Sequence, residues 1–207
     1  MPEISVTSEN ELIIKAQNGC ISSFERLIKQ IDKKMLSLAA GLASTHDEAE
    51  DIYQEAMFTA YKALPKFRMQ SQFSTWLYRI VVNTAISSRR KLRNKINSLI
   101  YGHSQGKRTD EYSTNDYGET WESYESYAPG NGIEEPDSVM INEQLSLAIS
   151  KALSDLSERE RIAFVLCHQQ ELKMIDAAQI MQCSDGAIKN YLFRARQKMQ
   201  VALQGYI

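Results

Sequence analysis

The residues best suited to chemistry are cations interleaved with aromatic rings between Pro65 and Ile96. The cations are Lys66, Arg68, Arg79, Arg89, Arg90, Lys91, Arg93 and Lys95, and the rings are Phe67, Phe73, Trp76 and Tyr78. No acid interrupts this stretch, which carries a charge of +8 over 32 residues. Cations bind phosphates and rings stack on unpaired bases, so the combination is typical of single-stranded nucleic-acid binding. Rings at helical spacing also form cores, and the pattern alone leaves both interpretations open.

A second set of residues lies on one face of a predicted helix and combines carboxylates with an amide and one aromatic ring. Its members are Asp47, Asp51, Gln54, Glu55 and Phe58. Favourable interaction with the helix dipole explains carboxylates in the first turn. Folding gives no reason to expose a phenyl ring beside them. We therefore predict that this face binds a partner. Carboxylates on consecutive turns could also serve an enzyme or a metal. The three histidines, His46, His103 and His168, lie in different segments, and we expect no enzyme.

Residues 173–200 have the pattern of a helix-turn-helix. A first helix, Met174 to Met181, and a second that runs to about Gln200 are predicted around a turn in which Ser184 is a good N-cap. The second helix has a buried stripe of Ile188, Tyr191, Leu192, Ala195 and Met199 and an outward face of Gly186, Lys189, Asn190, Phe193, Arg194 and Gln197. Such a helix either reads base edges in a major groove or packs in a plain three-helix unit, and its four cations favour DNA.

Metal binding is not indicated. The three cysteines, Cys20, Cys167 and Cys183, are far apart and form no C-x-x-C pair, and the neighbouring Cys167 and His168 cannot close a tetrahedral site alone. We therefore expect neither a metal nor another cofactor. The scattered cysteines also agree with a reducing compartment.

The overall charge conceals an uneven distribution. The 207 residues have a net charge of −2, but residues 11–96 carry +6, residues 97–139 carry −7 and residues 140–207 carry +1. A basic block of this kind predicts a polyanionic partner. No apolar run is long enough to span a membrane, and Met1–Asn10 does not resemble a signal peptide, so we expect a cytoplasmic protein.

Helical periodicity dominates the chain, and no strand alternation bounded by turns is found. A break at Asn18–Gly19 separates a short helix from a long one, a capping box Thr45-x-x-Glu48 opens the third, and Pro65 closes it. A fourth helix begins near Ser74 and runs into the basic tail.

The second half begins with a change of composition. Residues 97–139 are rich in Gly, Pro and acids and poor in aliphatic residues, which predicts an extended acidic linker. A capping box, Ser157-x-x-Glu160, then opens the helix that precedes the helix-turn-helix. The predicted fold class is all-α, with two small helical domains at residues 11–96 and 140–207.

Two stretches resemble one bacterial family. Phe67-Arg-Met-Gln-Ser-Gln-Phe73-Ser-Thr-Trp76, with the preceding Asp47-Glu-Ala-Glu-Asp51, is similar to the second conserved region of sigma-70 family initiation factors, most of all in the extracytoplasmic-function (ECF) subgroup. Leu156-Ser-Glu-Arg-Glu-Arg-Ile162 and Ser184-Asp-Gly-Ala-Ile-Lys-Asn190 resemble the subgroup's fourth region. Two matches in this order, over about residues 11–96 and 140–207, make coincidence improbable.

The resemblance implies a protein that binds core RNA polymerase, recognises the −35 and −10 promoter elements and promotes DNA melting. The clamp helices of the largest polymerase subunit would be met by Asp51, Gln54, Glu55 and Phe58. The −10 element, with one base flipped from the stack, would be bound by Lys66, Phe67, Arg68, Ser71, Phe73, Trp76, Arg79, Asn83, Arg89 and Arg90. The −35 element would be read by Ser184, Gly186, Lys189, Asn190, Phe193, Arg194 and Arg196.

Further partners follow from the same resemblance. The acidic linker would thread the positively lined channels of the polymerase, the polymerase flap would be a second contact, and an anti-sigma factor would occlude both domains. Such a protein would be associated with the nucleoid when bound to polymerase and would not insert into a membrane. The chain departs from the family at Tyr191, where a basic residue is usual, and at Ala187–Ile188, where Thr-Val is usual. These departures leave the −35 sequence open.

One alternative is a free-standing helix-turn-helix regulator with an all-α sensor domain at its N-terminus. The cations and rings of residues 65–95 separate the two hypotheses, because a sensor domain needs no second nucleic-acid surface. The sigma factor is therefore favoured.

Overall fold

The computed structural model describes residues 8–101, 148–149 and 151–204, and only the backbone of 99–101. Every regular element in these ranges is helical, which confirms the all-α prediction. The N-terminal half contains α1 (Glu9–Gln17), α2 (Ile21–Leu42), α3 (His46–Ala63), a 3-10 turn (Leu64–Lys66) and α4 (Phe73–Tyr101). The C-terminal half contains α5 (Glu158–Phe164), α6 (Met174–Met181) and α7 (Asp185–Ala202). None of these helices is long and apolar enough to cross a membrane.

Helices α1 and α2 pack against each other as a hairpin. Ser8 caps α1 by accepting a hydrogen bond from the amide of Glu11 at 3.3 Å. Gly19 has a φ of 90°, a left-handed conformation that glycine adopts without a steric penalty. The chain therefore reverses at this point, and the predicted break at Asn18–Gly19 is confirmed.

Helix α3 begins at a modified capping box. The hydroxyl of Thr45 accepts from the amide of Glu48 at 3.1 Å, as predicted. The Glu48 carboxylate does not return to Thr45 but accepts from the amide of Ser44 at 2.6 Å, so the box is wider by one residue. At the other end, Pro65 lies in the 3-10 turn that follows Ala63, which agrees with its predicted role.

Helix α4 is the longest element and provides much of the core. Leu77, Val81, Val82 and Ala85 are buried, and the helix packs against α2 and α3. It continues to Tyr101, so the first five residues of the predicted linker 97–139 are helical. The rest of that predicted linker lies outside the described residues.

Helix α5 begins at a complete capping box. The Ser157 hydroxyl accepts from the amide of Glu160 at 3.4 Å, and the Glu160 carboxylate accepts from the amide of Ser157 at 3.0 Å. Lys198 on α7 reaches the same carboxylate at 2.8 Å, which links the box to the last helix. A π-helical turn, Val165–Gln169, then carries the chain towards α6. The predicted box at Ser157 and Glu160 is confirmed.

The two halves share one apolar core. Val165 and Leu166 from the C-terminal half belong to the same buried cluster as Met35 and Leu38 from α2. Helix α6 packs against α4, and the π-helical turn packs against α2. The sequence predicted two domains and a linker, and the structure adds this direct seam between them.

The capping carboxylate of Glu160 makes stability depend on pH. Burial raises its pKa, but hydrogen bonds from Lys198 and Ser157 outweigh burial and leave the pKa below its usual value. A carboxylate with a depressed pKa stabilises the fold above its unfolded pKa, and this stabilisation is lost as the pH falls through the folded pKa. We expect Glu160→Gln to lower the unfolding free energy by about 1–3 kcal/mol at neutral pH.

Denaturant titrations at a series of pH values measure this effect. The difference between wild type and Glu160→Gln should shrink between about pH 5 and 3, as the wild-type carboxylate becomes protonated. Glu25→Gln, at an exposed position on α2, is the control. A difference that stays constant across this range would contradict the assignment.

Candidate functional site

The segment between α3 and α4 is a supported loop. Gln17, at the end of α1, donates through Nε2 to the carbonyl oxygen of Leu64 at 3.1 Å and to that of Phe67 at 2.7 Å. Further along, Met69 has a φ of 54°, in the left-handed region that few residues other than glycine adopt. Helix α1 therefore holds the start of the loop.

The loop and α1 line a cleft of about 330 Å³ that is open to solvent. Its lining consists of Glu9, Asn10 and Ile13 from α1 and of Phe67, Met69, Gln70, Ser71, Gln72 and Phe73. Three of these residues, Ile13, Phe67 and Phe73, are buried and form an apolar floor, while amide and hydroxyl groups surround the opening. Polar groups make up most of the accessible lining, and Glu9 adds a carboxylate, so this cleft can hold a ligand mainly through hydrogen bonds.

The aromatic residues of this region pack mainly on one another. The ring centroids of Phe67 and Trp76 are 4.8 Å apart, and those of Phe73 and Trp76 are 5.5 Å apart. Phe67, Phe73 and Tyr78 are buried, so of the two interpretations that the pattern left open, packing in the core describes these rings in this structure. Packing an aromatic ring among apolar neighbours removes a large apolar area from water, which favours the inward orientation of these rings. Their contribution is to shape the cleft.

The polar residues predicted to bind the −10 strand divide into two groups. Lys66, Arg68, Asn83 and Arg90 are exposed, and Ser71 is half-buried at the cleft. Arg79 and Arg89 instead turn into the protein. The Arg79 guanidinium donates to the carbonyl oxygen of Gln179 at 2.9 Å, and that of Arg89 donates to the Ser44 hydroxyl at 3.2 Å. The side chains of the first group are therefore accessible to a ligand, whereas those of Arg79 and Arg89 are hydrogen-bonded within the protein.

The acidic face of α3 is open along its length. Asp51, Gln54, Glu55 and Phe58 are all exposed, and the ring of Phe58 has 59% of its surface accessible. Two cations lie on this face: Lys62 is 3.9 Å from the centroid of the Phe58 ring, and Lys91 is 3.1 Å from a carboxylate oxygen of Glu55. Exposed pairs of this kind contribute little to the stability of the fold, so stability does not explain why Phe58 and Glu55 lie on this face. The predicted exposure of Phe58 is confirmed.

Helices α6 and α7 form the predicted helix-turn-helix. The turn contains Gln182 in the left-handed conformation, with a φ of 52°, and the Ser184 hydroxyl accepts from the amide of Ala187 at 3.3 Å. The outward residues of α7 are exposed as predicted: Gly186, Lys189, Asn190, Phe193 and Arg194. Phe193 is 62% exposed. One face of α7 thus combines amide, aromatic and cationic groups.

Two members of the predicted −35 set have partners within the fold. The side chain of Ser184 is used by the helix cap. Arg196 donates through Nε to Nε2 of His168 at 3.3 Å, which ties α7 to the π-helical turn. Burial and the charge of Arg196 lower the pKa of His168, so the imidazole stays neutral and can accept this bond. In the described part of the chain, no three His, Cys, Asp or Glu side chains converge as a metal site would require.

Comparison with known families assigns both halves. The model of sigma-70 region 2 matches residues 27–95, and that of sigma-70 region 4 matches residues 146–199. The RNA polymerase sigma-H factor of Pseudomonas aeruginosa is 31% identical over 196 residues, which are 95% of this chain and 94% of the relative. The chain belongs to the sigma-70 family of sigma factors. The ECF RNA polymerase sigma-E factor of Escherichia coli K12 is 32% identical over 97% of this chain and 96% of its own, which places the protein in the ECF subgroup.

This sigma factor recognises promoters for RNA polymerase and is not an enzyme. Solved structures agree on its fold. The sigma factor RpoE bound to the anti-sigma factor NepR from Bartonella quintana has a TM-score of 0.61 at 24% identity and covers 87% of this chain and 96% of that one. CnrH bound to the cytosolic domain of CnrY has a TM-score of 0.62 at 17% identity and covers 95% of this chain and 97% of that one.

Sequence patterns missed two parts of the site. Glu9 and Asn10 reach the cleft from a helix more than 55 residues away in sequence from the loop. Gln17 supports the loop across 47 and 50 residues, the separations from Leu64 and Phe67. A polar side chain at a helix end gives no sign of the backbone atoms that it meets in the fold.

We expect Gln17→Ala to loosen the loop. Removing the side-chain amide leaves the carbonyl oxygens of Leu64 and Phe67 without this donor, which should lower the unfolding free energy by about 1–3 kcal/mol. Hydrogen exchange, followed by mass spectrometry, should become faster in residues 66–72, while α7 is unchanged. Gln30→Ala, an exposed position on α2, is the control. Unchanged exchange in the loop would refute the supporting role.

Proposed function

We propose that three separate surfaces of this sigma factor divide the work of initiation. The face of Asp51, Gln54, Glu55 and Phe58 binds the clamp helices of core polymerase, the loop cleft and α4 bind the −10 strand, and α7 reads the −35 element. The boundaries of the domains are residues 11–96 and 140–207. The observation that carries the proposal is that the three surfaces are all exposed and differ in chemistry.

Polymerase binding is assigned to α3 because of its Phe58 ring. A ring with 59% of its surface exposed, in a row with carboxylates, suits a partner surface that combines a cation with an apolar contact. The exposed pairs with Lys62 and Lys91 can be exchanged for partner contacts at little cost.

Melting is assigned to the cleft and the helix that follows it. Flipping a base out of the duplex costs a few kcal/mol, and a pocket that accepts the flipped base offsets this cost. The cleft provides an apolar floor with Gln70, Ser71 and Gln72 around it, and these side chains can hydrogen-bond to a base edge. Asn83 is exposed one helical turn after Arg79, where it can meet the strand beyond the cleft. Lys66, Arg68 and Arg90 supply phosphate contacts.

The −35 element is assigned to α7. Lys189, Asn190, Phe193 and Arg194 lie one turn apart on its exposed face, as required of a helix that enters a major groove. Gly186 near its start has no side chain to hold a phosphate away from the backbone amides, and a β-carbon placed there would meet only the Ser184 hydroxyl at 3.9 Å. Since packing does not require this glycine, close approach of DNA explains it.

Regulation and location complete the proposal. The sigma factor RpoE, which shares this fold, is bound to the anti-sigma factor NepR, and we expect this protein to have a cognate anti-sigma partner. The protein works in the cytoplasm and is associated with the nucleoid when bound to polymerase. The acidic segment 97–139 threads the positively lined channels of the polymerase, because a charge of −7 favours that path.

Run-off transcription tests the function directly. Purified core polymerase is incubated with genomic promoter fragments, with and without the protein. We expect transcripts from a defined subset of promoters only when the protein is present. The DNA sequences upstream of their start sites then yield the −35 and −10 elements. The absence of such transcripts, together with a failure to co-elute with core polymerase, would favour the free-standing regulator.

Two single variants separate the two N-terminal surfaces. Phe58→Ala should weaken binding to core polymerase about tenfold or more, because an exposed ring at the centre of an interface contributes about 2 kcal/mol. Asn83→Ala should leave this affinity unchanged and reduce the rate of open-complex formation. The measurements are fluorescence anisotropy for polymerase and permanganate footprinting for melting.

The control for both is Gln200→Ala, an exposed position outside the three surfaces. Equal losses of polymerase binding and of melting in both variants would show that the two surfaces are not distinct.

A further inference from the structure

One face of helix α1 lies against the loop between α3 and α4. Glu9, Ile13 and Gln17 are spaced four residues apart, so they share this face of the helix. Gln17 is hydrogen-bonded to the backbone of Leu64 and Phe67, and Ile13 is buried in the floor of the cleft. These two contacts hold α1 against the loop. The Glu9 side chain therefore lines the cleft from a helix whose position is fixed.

Glu9 brings the only charged group among the described residues that line the cleft. Its side chain is exposed, and within the described part of the chain no hydrogen bond or ion pair engages its carboxylate. A carboxylate in the first turn suits the helix dipole, but Glu11 provides the same interaction away from the cleft. The dipole thus gives no reason for a carboxylate in the lining.

A carboxylate at this position opposes the binding of a nucleic-acid strand unless the base compensates for it. The phosphates of a strand bring negative charge towards Glu9, and like charges repel. Lys66 and Arg68, which flank Phe67 of the cleft floor in the sequence, attract the phosphates. At Glu9 itself, the repulsion is offset where the base donates a hydrogen bond, because hydrogen bonds to a carboxylate are about twice as strong as those between neutral groups.

The four bases of DNA differ in what they offer to such an acceptor. Adenine, cytosine and guanine each carry an exocyclic amino group, whereas thymine has carbonyl oxygens on both sides of its single ring N–H. A carboxylate has no proton to donate, so it accepts from an amino group and repels the carbonyl oxygens of thymine. The amides of Asn10, Gln70 and Gln72 both donate and accept, so they suit any of the four bases.

We propose that Glu9 is a specificity-determining residue of the cleft, which selects a flipped base with an exocyclic amino group and rejects thymine. This inference rests on the proposed function of the cleft as the site of a flipped −10 base. A hydrogen bond to a carboxylate that thymine cannot make corresponds to a discrimination of about tenfold or more. The residue that selects the base then lies on α1, outside the loop that provides the rest of the opening.

Run-off transcription from a promoter library tests the selection. A promoter that the protein uses is randomised at each −10 position, and every template carries a transcribed barcode that reports its −10 sequence. With wild-type protein and core polymerase, thymine should be disfavoured about tenfold at one −10 position. Glu9→Gln places a donor beside the acceptor, so the share of thymine should rise several-fold at that position alone. Glu11→Gln, in the same turn but off the cleft, is the matched control and should keep the wild-type profile.

A base analogue isolates the amino group. The probe is a fluorescein-labelled single strand of the selected −10 sequence, in which the base at that position is replaced by its analogue without the exocyclic amino group. Fluorescence anisotropy with the full-length protein bound to core polymerase should show about a tenfold loss of affinity for the analogue. Glu9→Ala should bind the two strands about equally, because the amino group and the carboxylate are then no longer coupled. Glu11→Ala should keep the wild-type ratio.

The outcomes separate this inference from the proposed function. It is overturned if Glu9→Gln keeps the wild-type base preference at every −10 position, or if the wild type binds the analogue as tightly as the natural strand. A preference of the wild type for thymine at the position that Glu9→Gln changes would also overturn it. Wild-type protein that yields no promoter-directed transcripts would instead refute the sigma role, and this inference with it.

Discussion

Helix α4 is buried against other helices in both halves of the protein, and this packing places most of the other elements. Leu77, Val81 and Val82 are almost inaccessible, with α2 and α3 on one side of the helix and α6 on another. Because apolar faces occupy so much of α4, its polar residues are confined to the remaining surface, and Asn83 is left exposed. The same packing directs Arg79 and Arg89 towards the seam. One helix therefore carries the proposed nucleic-acid surface and also joins the two halves of the protein.

The distribution of charge explains how one chain can serve several partners. The cations of residues 65–96 and the carboxylates of α3 lie on neighbouring helices, and within the described residues Lys91 forms an ion pair with Glu55 where the two sets meet. Such an exposed pair is weak, so the two surfaces keep electrostatic potentials of opposite sign. The net charge of −2 gives no indication of this arrangement.

Much of the fold was predictable because local signals agreed with one another. The caps at Thr45 and Ser157, the reversal at Gly19 and the exposed face of α7 all follow from short-range patterns and were confirmed. The aromatic residues were less predictable. Rings beside cations suit stacking on bases and suit a core equally well, and burial of Phe67 and Phe73 was decided by neighbours that the pattern does not contain.

The helices, the exposed acidic and basic faces and, through two family motifs, membership of the sigma-70 family could all be predicted from the sequence. They were predictable because helix caps, periodicity and charge act over a few residues. Three contacts became known from the fold alone: α1 lines the cleft, Gln17 supports the loop, and Arg79 meets Gln179, which is 100 residues away. Long-range contacts of this kind depend on how whole apolar faces pack, and a polar side chain carries no local sign of the partner that packing brings to it.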